Sequence, residues 1–167
     1  TVNKSIFLAC TLGLVHMAYG AQWNLDADGA WNNNANWILP GVFPNAANAT
    51  AVFPNVITAT RTISSGIGIT VGNLTFDNDN GNTYLVTLSG NTLTLNNSGT
   101  ANLTVTSANT GAHTLSCPIT LSNPLLVTQD SSATFTISGA IAGANSLTKA
   151  GTGVLTLTAA NTYSNGT

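Results

Sequence analysis

From about residue 56 onward, apolar residues occur in pairs that bracket one other residue, usually a threonine. This period-2 pattern predicts short β-strands, because successive side chains along a strand point to opposite faces. Beyond Gly20, no window shows the i, i+3, i+4 apolar spacing of an amphipathic helix. We therefore predict an all-β body with apolar side chains inside and threonines outside. The pairs are Leu74/Phe76, Val86/Leu88, Leu93/Leu95, Leu103/Val105, Ile119/Leu121, Leu125/Val127, Phe135/Ile137 and Leu155/Leu157.

Turn chemistry separates these predicted strands at irregular intervals. Asn-Gly, Ser-Gly, Gly-Asn and Asn-Asn pairs lie between them, and these residues favour tight turns. Short strands with frequent turns fit a sandwich, a barrel or a β-solenoid. The irregular intervals indicate loops of varying length and not a fixed structural repeat.

Composition favours the β-solenoid. Charged residues make up 5% of the 167 residues, and glutamate does not occur, whereas the chain has 27 threonines and 22 asparagines. An ordinary domain has about 25% charged residues. A solenoid stacks similar side chains from coil to coil, where equal charges would repel each other and amides and hydroxyls can hydrogen-bond. The net charge of −2, with three Lys and Arg residues, also excludes a nucleic-acid partner.

Residues 1–20 have the layout of a secretory signal peptide. Lys4 precedes the apolar run from Ile6 to Val15, and the small residues Ala18 and Gly20 precede a cleavage position before Ala21. The run is shorter than the roughly 20 residues that span a bilayer. A buried N-terminal strand is the alternative. Cleavage would leave Cys117 as the one cysteine, and we predict that it is a small buried hydrophobe.

Residues 21–55 form a tryptophan-rich head before the predicted body at 56–167. All three tryptophans fall between positions 23 and 37, among asparagines and Pro-containing turns. Such a cluster can cap the open end of a stack of strands, where apolar core and strand edges need cover. Alternatively, the rings can stack on a sugar. The candidate cap or ligand residues are Trp23, Trp31 and Trp37.

Candidate catalytic and metal-binding side chains are few. His113 belongs to no cluster of carboxylates and cysteines that would suit a metal site or a catalytic triad, so we predict neither a metal nor a catalytic role for it. Asp26/Asp28 and Asp77/Asp79 form Asp-x-Asp pairs near glycines, which suit either turns or calcium. An EF-hand loop starting at Asp77 would need glutamate at the position of Leu88, so we favour turns. We predict no enzyme activity and no cofactor.

Residues 141–167 contain a dense motif that resembles the autotransporter-associated β-strand repeat, also called the passenger-associated transport repeat. Gly151 and Gly153 suit a turn with positive φ, and Asn161 can hydrogen-bond its own backbone. Leu155 and Leu157 are expected in the core. Tyr163 is expected over a strand edge, and Lys149 in solvent. The matching positions are Gly143, Leu147, Lys149, Gly151, Gly153, Leu155, Leu157, Asn161, Thr162, Tyr163, Gly166 and Thr167.

The resemblance implies a right-handed parallel β-helix in a secreted or cell-surface protein of a Gram-negative-type bacterium. It also implies that the full-length protein meets the outer-membrane translocation machinery. The chain is expected to be the N-terminal portion of something longer, since these repeats occur in series. An open last coil would then associate end to end with a second copy.

Three functions follow from these observations. The first is a structural or adhesive surface module, with surface glycans as possible partners. The second is a carbohydrate-binding module that uses the tryptophans. The third is a crystal- or ice-binding threonine surface, suggested by the Thr-x-Thr pairs at 58/60, 92/94, 104/106, 134/136 and 156/158.

Overall fold

A computed structural model describes residues 20–39 and 41–167. Within these ranges the chain forms seventeen short β-strands and two single-turn 3-10 helices, Asn34–Asn36 and Leu88–Gly90. No helix in this part of the chain is long and apolar enough to cross a membrane. The predicted signal peptide lies outside the described residues, apart from Gly20.

All of the strands are short. They are β1 Ala21–Trp23, β2 Gly29–Ala30, β3 Trp37–Ile38, β4 Thr50–Pro54, β5 Arg61–Ser64, β6 Ile69–Val71, β7 Asn73–Asp77, β8 Tyr84–Val86, β9 Leu93–Leu95, β10 Ala101–Val105, β11 Thr114–Leu115, β12 Ile119–Leu121, β13 Leu125–Gln129, β14 Phe135–Ile137, β15 Ile141–Ala142, β16 Leu147–Ala150 and β17 Leu155–Leu157.

In the part of the chain that the structure describes, the strands form three sheets. Sheet A has the order β16-β13-β10-β7-β4-β1-β3, sheet B has β17-β14-β11-β8-β5-β2, and sheet C has β15-β12-β9-β6. Each strand from β4 to β14 pairs with the strand three places later, always in parallel. The chain therefore winds through sheets A, B and C in turn and completes about four coils. The predicted all-β solenoid is confirmed.

The register places similar side chains on top of each other. In sheet C, Ile69 pairs with Leu93, and Leu93 pairs with Ile119. All three are buried, while the residues between the paired apolar positions face outward and are partly exposed. The predicted alternation of apolar and threonine positions thus becomes an apolar interior and an outer surface of threonine columns.

The coils differ in length because their corners differ. Leu74 pairs with Leu103, whereas Leu125 pairs with Leu147, so the chain takes fewer residues to complete the second of these coils than the first. The strands keep their register, and the connections between them absorb the difference. This is the structural basis of the irregular spacing in the sequence.

The tryptophan-rich head is continuous with the sheets of the body. β1 pairs in parallel with β4, and β2 pairs in parallel with β5. The change in composition near residue 55 therefore does not coincide with a break in the sheets. β3 pairs antiparallel with β1 and forms the outer edge of sheet A.

The structure corrects two details of the carboxyl-terminal motif. Gly151 has the expected positive φ of +79°, but Gly153 does not; a Cβ at Gly153 would lie 2.2 Å from the backbone oxygen of Ser131 in the previous coil. Asn161 does not bond its own backbone: its Oδ1 accepts from the Ile141 amide. Both residues hold one coil against the preceding one, which a reading of the isolated motif could not show.

The two leucines and the lysine of the motif lie as expected, at the core and in solvent respectively. Leu155, Leu157 and Tyr163 are partly buried against the core. Lys149 is exposed and donates to the carbonyl oxygens of Ala150 and Gly151.

We predict that Gly153→Ala destabilises the protein by about 1–3 kcal/mol, the usual cost of forcing an extra group into a packed site. The added methyl group would push the last coil away from Ser131. The measurement is the urea unfolding midpoint. Gly66→Ala is the matched control, because its Cβ would meet only Asn32 Nδ2 at 3.8 Å. Equal midpoints for the two variants would contradict the close approach between coils.

Candidate functional site

The three tryptophans are packed together inside the first coil. Trp23 and Trp31 have no exposed surface, and Trp37 is 2% exposed. The ring centroids of Trp23 and Trp37 are 5.3 Å apart in an edge-to-face arrangement, and those of Trp31 and Trp37 are 5.0 Å apart. Such contacts add to the stabilisation that comes from burying large aromatic surfaces.

Each indole N–H donates to a backbone carbonyl of the head. Trp23 Nε1 donates to Leu25 O at 2.7 Å, Trp31 Nε1 to Pro44 O at 2.8 Å, and Trp37 Nε1 to Trp31 O at 2.7 Å. The buried polar atoms are therefore satisfied, as stability requires. No ring face is open to solvent, so the geometry gives no support to sugar stacking on these residues.

An aromatic column continues from the tryptophans into the body. Phe53 contacts all three tryptophans and stacks on Phe76, with centroids 5.0 Å apart and planes inclined by 14°. Phe76 in turn stacks on His113 at 4.9 Å. The column links the first four coils, because β4, β7 and the residue before β11 supply successive rings.

His113 is fully buried in this column. Its Nδ1 accepts from the Tyr84 amide at 3.0 Å, and its Nε2 lies 2.5 Å from Asn109 Oδ1. Burial lowers the pKa of His113 to about 4. Sequence reasoning assigned His113 no role, although it alternates with Leu115 and Cys117 and so occupies an inward position.

The Asp-x-Asp pairs join neighbouring coils. Asp26 accepts from the Thr58 amide and hydroxyl and forms an ion pair with Arg61 at 2.8 Å, while Asp28 accepts from the Thr62 amide. These hydrogen bonds lower the pKa of Asp26 to about 2, with the Thr58 amide as the main cause.

Asp77 and Asp79 also join neighbouring coils. Asp77 accepts from the Thr106 hydroxyl, and Asp79 contacts Asn55 Nδ2. In the part of the chain that the structure describes, no group of three His, Cys, Asp or Glu side chains is placed to hold a metal ion.

Cys117 is buried, as predicted, and its thiol is free. Burial raises its pKa to about 12, which keeps it in the unreactive thiol form.

The outer surfaces of the three sheets carry columns of threonine. Sheet A presents Thr75, Thr104 and Thr128 in register. Sheet B and sheet C carry comparable columns, Thr114-Thr136-Thr156 and Thr70-Thr94-Thr120. The predicted Thr-x-Thr pairs do not align into one flat array, since Thr94, Thr104 and Thr136 belong to three different sheets.

A cavity of about 450 Å³ lies at the N-terminal end, between β1 and the loop before β4. Its lining is mainly apolar and contains no titratable side chain. The lining residues are Gly20, Ala21, Val42, Phe43, Pro44, Asn45, Ala46, Asn48, Ala49 and Thr50.

No protein-family model matches the chain, and no solved structure matches it. The chain is 39% identical over 145 residues to Adhesin BmaC autotransporter of Brucella suis biovar 1 (strain 1330). The alignment covers 81% of this chain and 3% of that relative.

This chain is similar to a segment of an autotransporter adhesin. Together with the solenoid fold, the match confirms the autotransporter resemblance that the carboxyl-terminal motif indicated. The alignment reaches far beyond the motif at 141–167, because it covers most of the coils.

We predict that Trp31→Ala destabilises the protein by about 3–5 kcal/mol, the usual cost of truncating a buried aromatic side chain. The substitution leaves a cavity beside Trp37 and Phe53 and removes the hydrogen bond to Pro44. The measurement is again the urea midpoint. Val42→Ala, in the same head but 53% exposed, is the control and should change stability by less than about 0.5 kcal/mol. An unchanged midpoint for Trp31→Ala would contradict a structural role for the cluster.

Proposed function

We propose that this chain is a secreted or cell-surface adhesive module of an autotransporter passenger in a Gram-negative-type bacterium, and that it acts without catalysis. The observation that carries the proposal is the 39% identity to a protein named an autotransporter adhesin. Residues 1–20 would direct export. Residues 21–55 would cap the solenoid, and in the full-length protein the coils would pass through the outer-membrane translocation machinery.

The outer faces suit adhesion to an uncharged partner. In sheet A, the outward column of Thr75, Thr104 and Thr128 is flanked by the column of Asn73, Asn102 and Leu126. These side chains offer hydroxyls, amides and methyl groups without charge. We therefore propose neutral surface glycans as the partner class, since their hydroxyls and apolar ring faces match such a surface.

We also propose end-to-end self-association at the carboxyl-terminal end. Within the described residues, β17 is paired on one side only, with β14. An edge strand of this kind can pair with another chain. At the N-terminal end, by contrast, the edge of sheet A is the antiparallel strand β3, which pairs with β1 beside the buried tryptophans.

An array of neutral and acidic glycans tests the adhesive role. We expect the full chain to retain neutral glycans. Of Thr104→Lys, Thr136→Lys and Thr120→Lys, one on each sheet, we expect one to reduce binding at least about tenfold, which corresponds to about 1.4 kcal/mol. All three should keep the parent unfolding midpoint, because their side chains face outward. Failure of the parent to bind any glycan, or equal binding by all three variants, would contradict the proposal.

Sedimentation velocity tests the self-association. We expect the full chain to dimerise through two such ends and Val154→Lys, next to β17, to shift it toward monomer, because the two lysines would face each other and repel. Val42→Lys is the matched control at the other end, since Val154 and Val42 are 56% and 53% exposed, and it should leave the oligomers intact. A monodisperse monomer of the parent chain would contradict the proposed self-association.

A further inference from the structure

Buried polar side chains form a hydrogen-bonded network across the corner between sheets A and B. None of the proposed functions uses this network. Asn109 Oδ1 accepts from the Asn78 amide of the preceding coil at 3.2 Å. Asn109 Nδ2 contacts Ser131 Oγ of the following coil at 3.3 Å, and Ser131 Oγ donates to Asn109 O at 2.7 Å. Each of these side chains is buried, so each hydrogen bond that is lost would leave an unpaired polar group inside the protein.

His113 completes this network and fixes its own tautomer. Because Nδ1 accepts from the Tyr84 amide, the proton of the neutral ring sits on Nε2, which donates to Asn109 Oδ1. Asn109 Oδ1 therefore accepts hydrogen bonds from both His113 Nε2 and the Asn78 amide. The imidazole joins the coil of β10 and β11 to the coil of β7 and β8.

A second proton on His113 is incompatible with this arrangement. It would bind at Nδ1, where the Tyr84 N–H already points, so two donors would face each other and the hydrogen bond would break. A buried cation would remain in contact with Phe76 and next to Phe135, which precedes the paired residue Thr136 in β14.

Among the residues that the structure describes, no carboxylate contacts the His113 ring to balance that charge. The titratable groups on the elements around His113 are Tyr84 on β8, Asp77 on β7, Asp79 in the next connection, Asp130 directly after β13 and the buried Cys117 after β11. Burial raises the pKa of Tyr84 above its ordinary range. Asp77, Asp79 and Asp130 are exposed, and the first two contact Thr106 and Asn55 respectively.

The corner that carries His113 is also the longest connection between sheets A and B. Residues 106–113 separate β10 from β11, and β11 itself is only two residues long. Once the side-chain network fails, two backbone hydrogen bonds still join this segment to the preceding coil, from the Thr106 amide to Phe76 O and from the Thr110 amide to Asn78 O. Segments with few such contacts open locally at low free-energy cost.

We propose that His113 makes this corner an acid-sensitive joint. On protonation, residues 106–113 detach from β8, and the two coils separate there while the coils on either side stay stacked. Mild acid would then expose the edge of β8 and make the rod flexible at one defined position.

Hydrogen exchange of the full chain at pH 7.5 and pH 5.0 tests the joint, with rates corrected for the intrinsic effect of pH. The pKa of His113 is about 4 in the closed state and 6.5 in the open state. We therefore expect opening at residues 78–86 and 106–115 to increase about 30-fold at the lower pH. The stabilisation by neutral His113 is complete above pH 6.5 and falls progressively toward pH 4. Peptides from β12, β13 and β16 should change much less.

His113→Gln is the matched variant, because glutamine offers an acceptor and a donor but does not titrate in this range. The variant should lose the local increase in hydrogen exchange at pH 5.0, whatever its stability at pH 7.5. His16 is present in both proteins, so it cannot account for a difference between them. An equal increase in the variant, or a uniform increase along the whole chain, would overturn the proposal.

An NMR titration of the parent protein tests the proposal independently, so the test does not depend on whether the variant folds. The NMR signals of the His113 ring should titrate below pH 5, together with the Tyr84 amide. A ring that titrates near pH 6.5 while the Tyr84 amide keeps its shift would show that the corner accepts the charged form, and would equally overturn the proposal.

Discussion

Backbone hydrogen bonds between equivalent strands of successive coils set the position of every side chain in the sheets of this protein. Once β7, β10 and β13 are in parallel register, Leu74, Leu103 and Val127 lie above one another, as do Thr75, Thr104 and Thr128. Each inward column must then be apolar or satisfied by hydrogen bonds, and each outward column must tolerate stacking. The near absence of charge follows from this constraint, because equal charges stacked about 4.8 Å apart would repel each other.

The corners between strands need hydrogen bonds of a different kind from those within the sheets. A buried turn leaves backbone groups without strand partners, and asparagine, serine and aspartate side chains supply the missing bonds. Asp26, Asp28 and Asn161 each accept from a backbone amide of a neighbouring coil. Corner side chains thus add to the stacking, so that coils of different lengths keep the same strand register. One of these corners brings a titratable ring, His113, into the core.

The strands could be predicted from sequence because period-2 alternation is local: pairs such as Leu93/Leu95 and Ile119/Leu121 occupy the predicted strands. The solenoid followed from composition, since threonine and asparagine suit stacked columns. Contacts between coils could not be predicted, because they depend on which residues become neighbours after a full coil of variable length. The crowding at Gly153 and the bond from Asn161 to Ile141 are of this kind. Strict alternation through Leu115 and Cys117 would have placed His113 inside.

Engineered disulfides test the stacking register most directly. In a chain with Cys10→Ser and Cys117→Ala, Thr104→Cys and Thr128→Cys would occupy paired outward positions of β10 and β13. Adjacent parallel strands hold such Cα atoms about 5 Å apart, within disulfide range. We expect oxidation to join this pair nearly completely under native conditions. Thr104→Cys with Leu126→Cys lies diagonally across the same strands, beyond about 7 Å, and should stay reduced. Preferential oxidation of the diagonal pair, or of neither, would contradict the coil register on which this account depends.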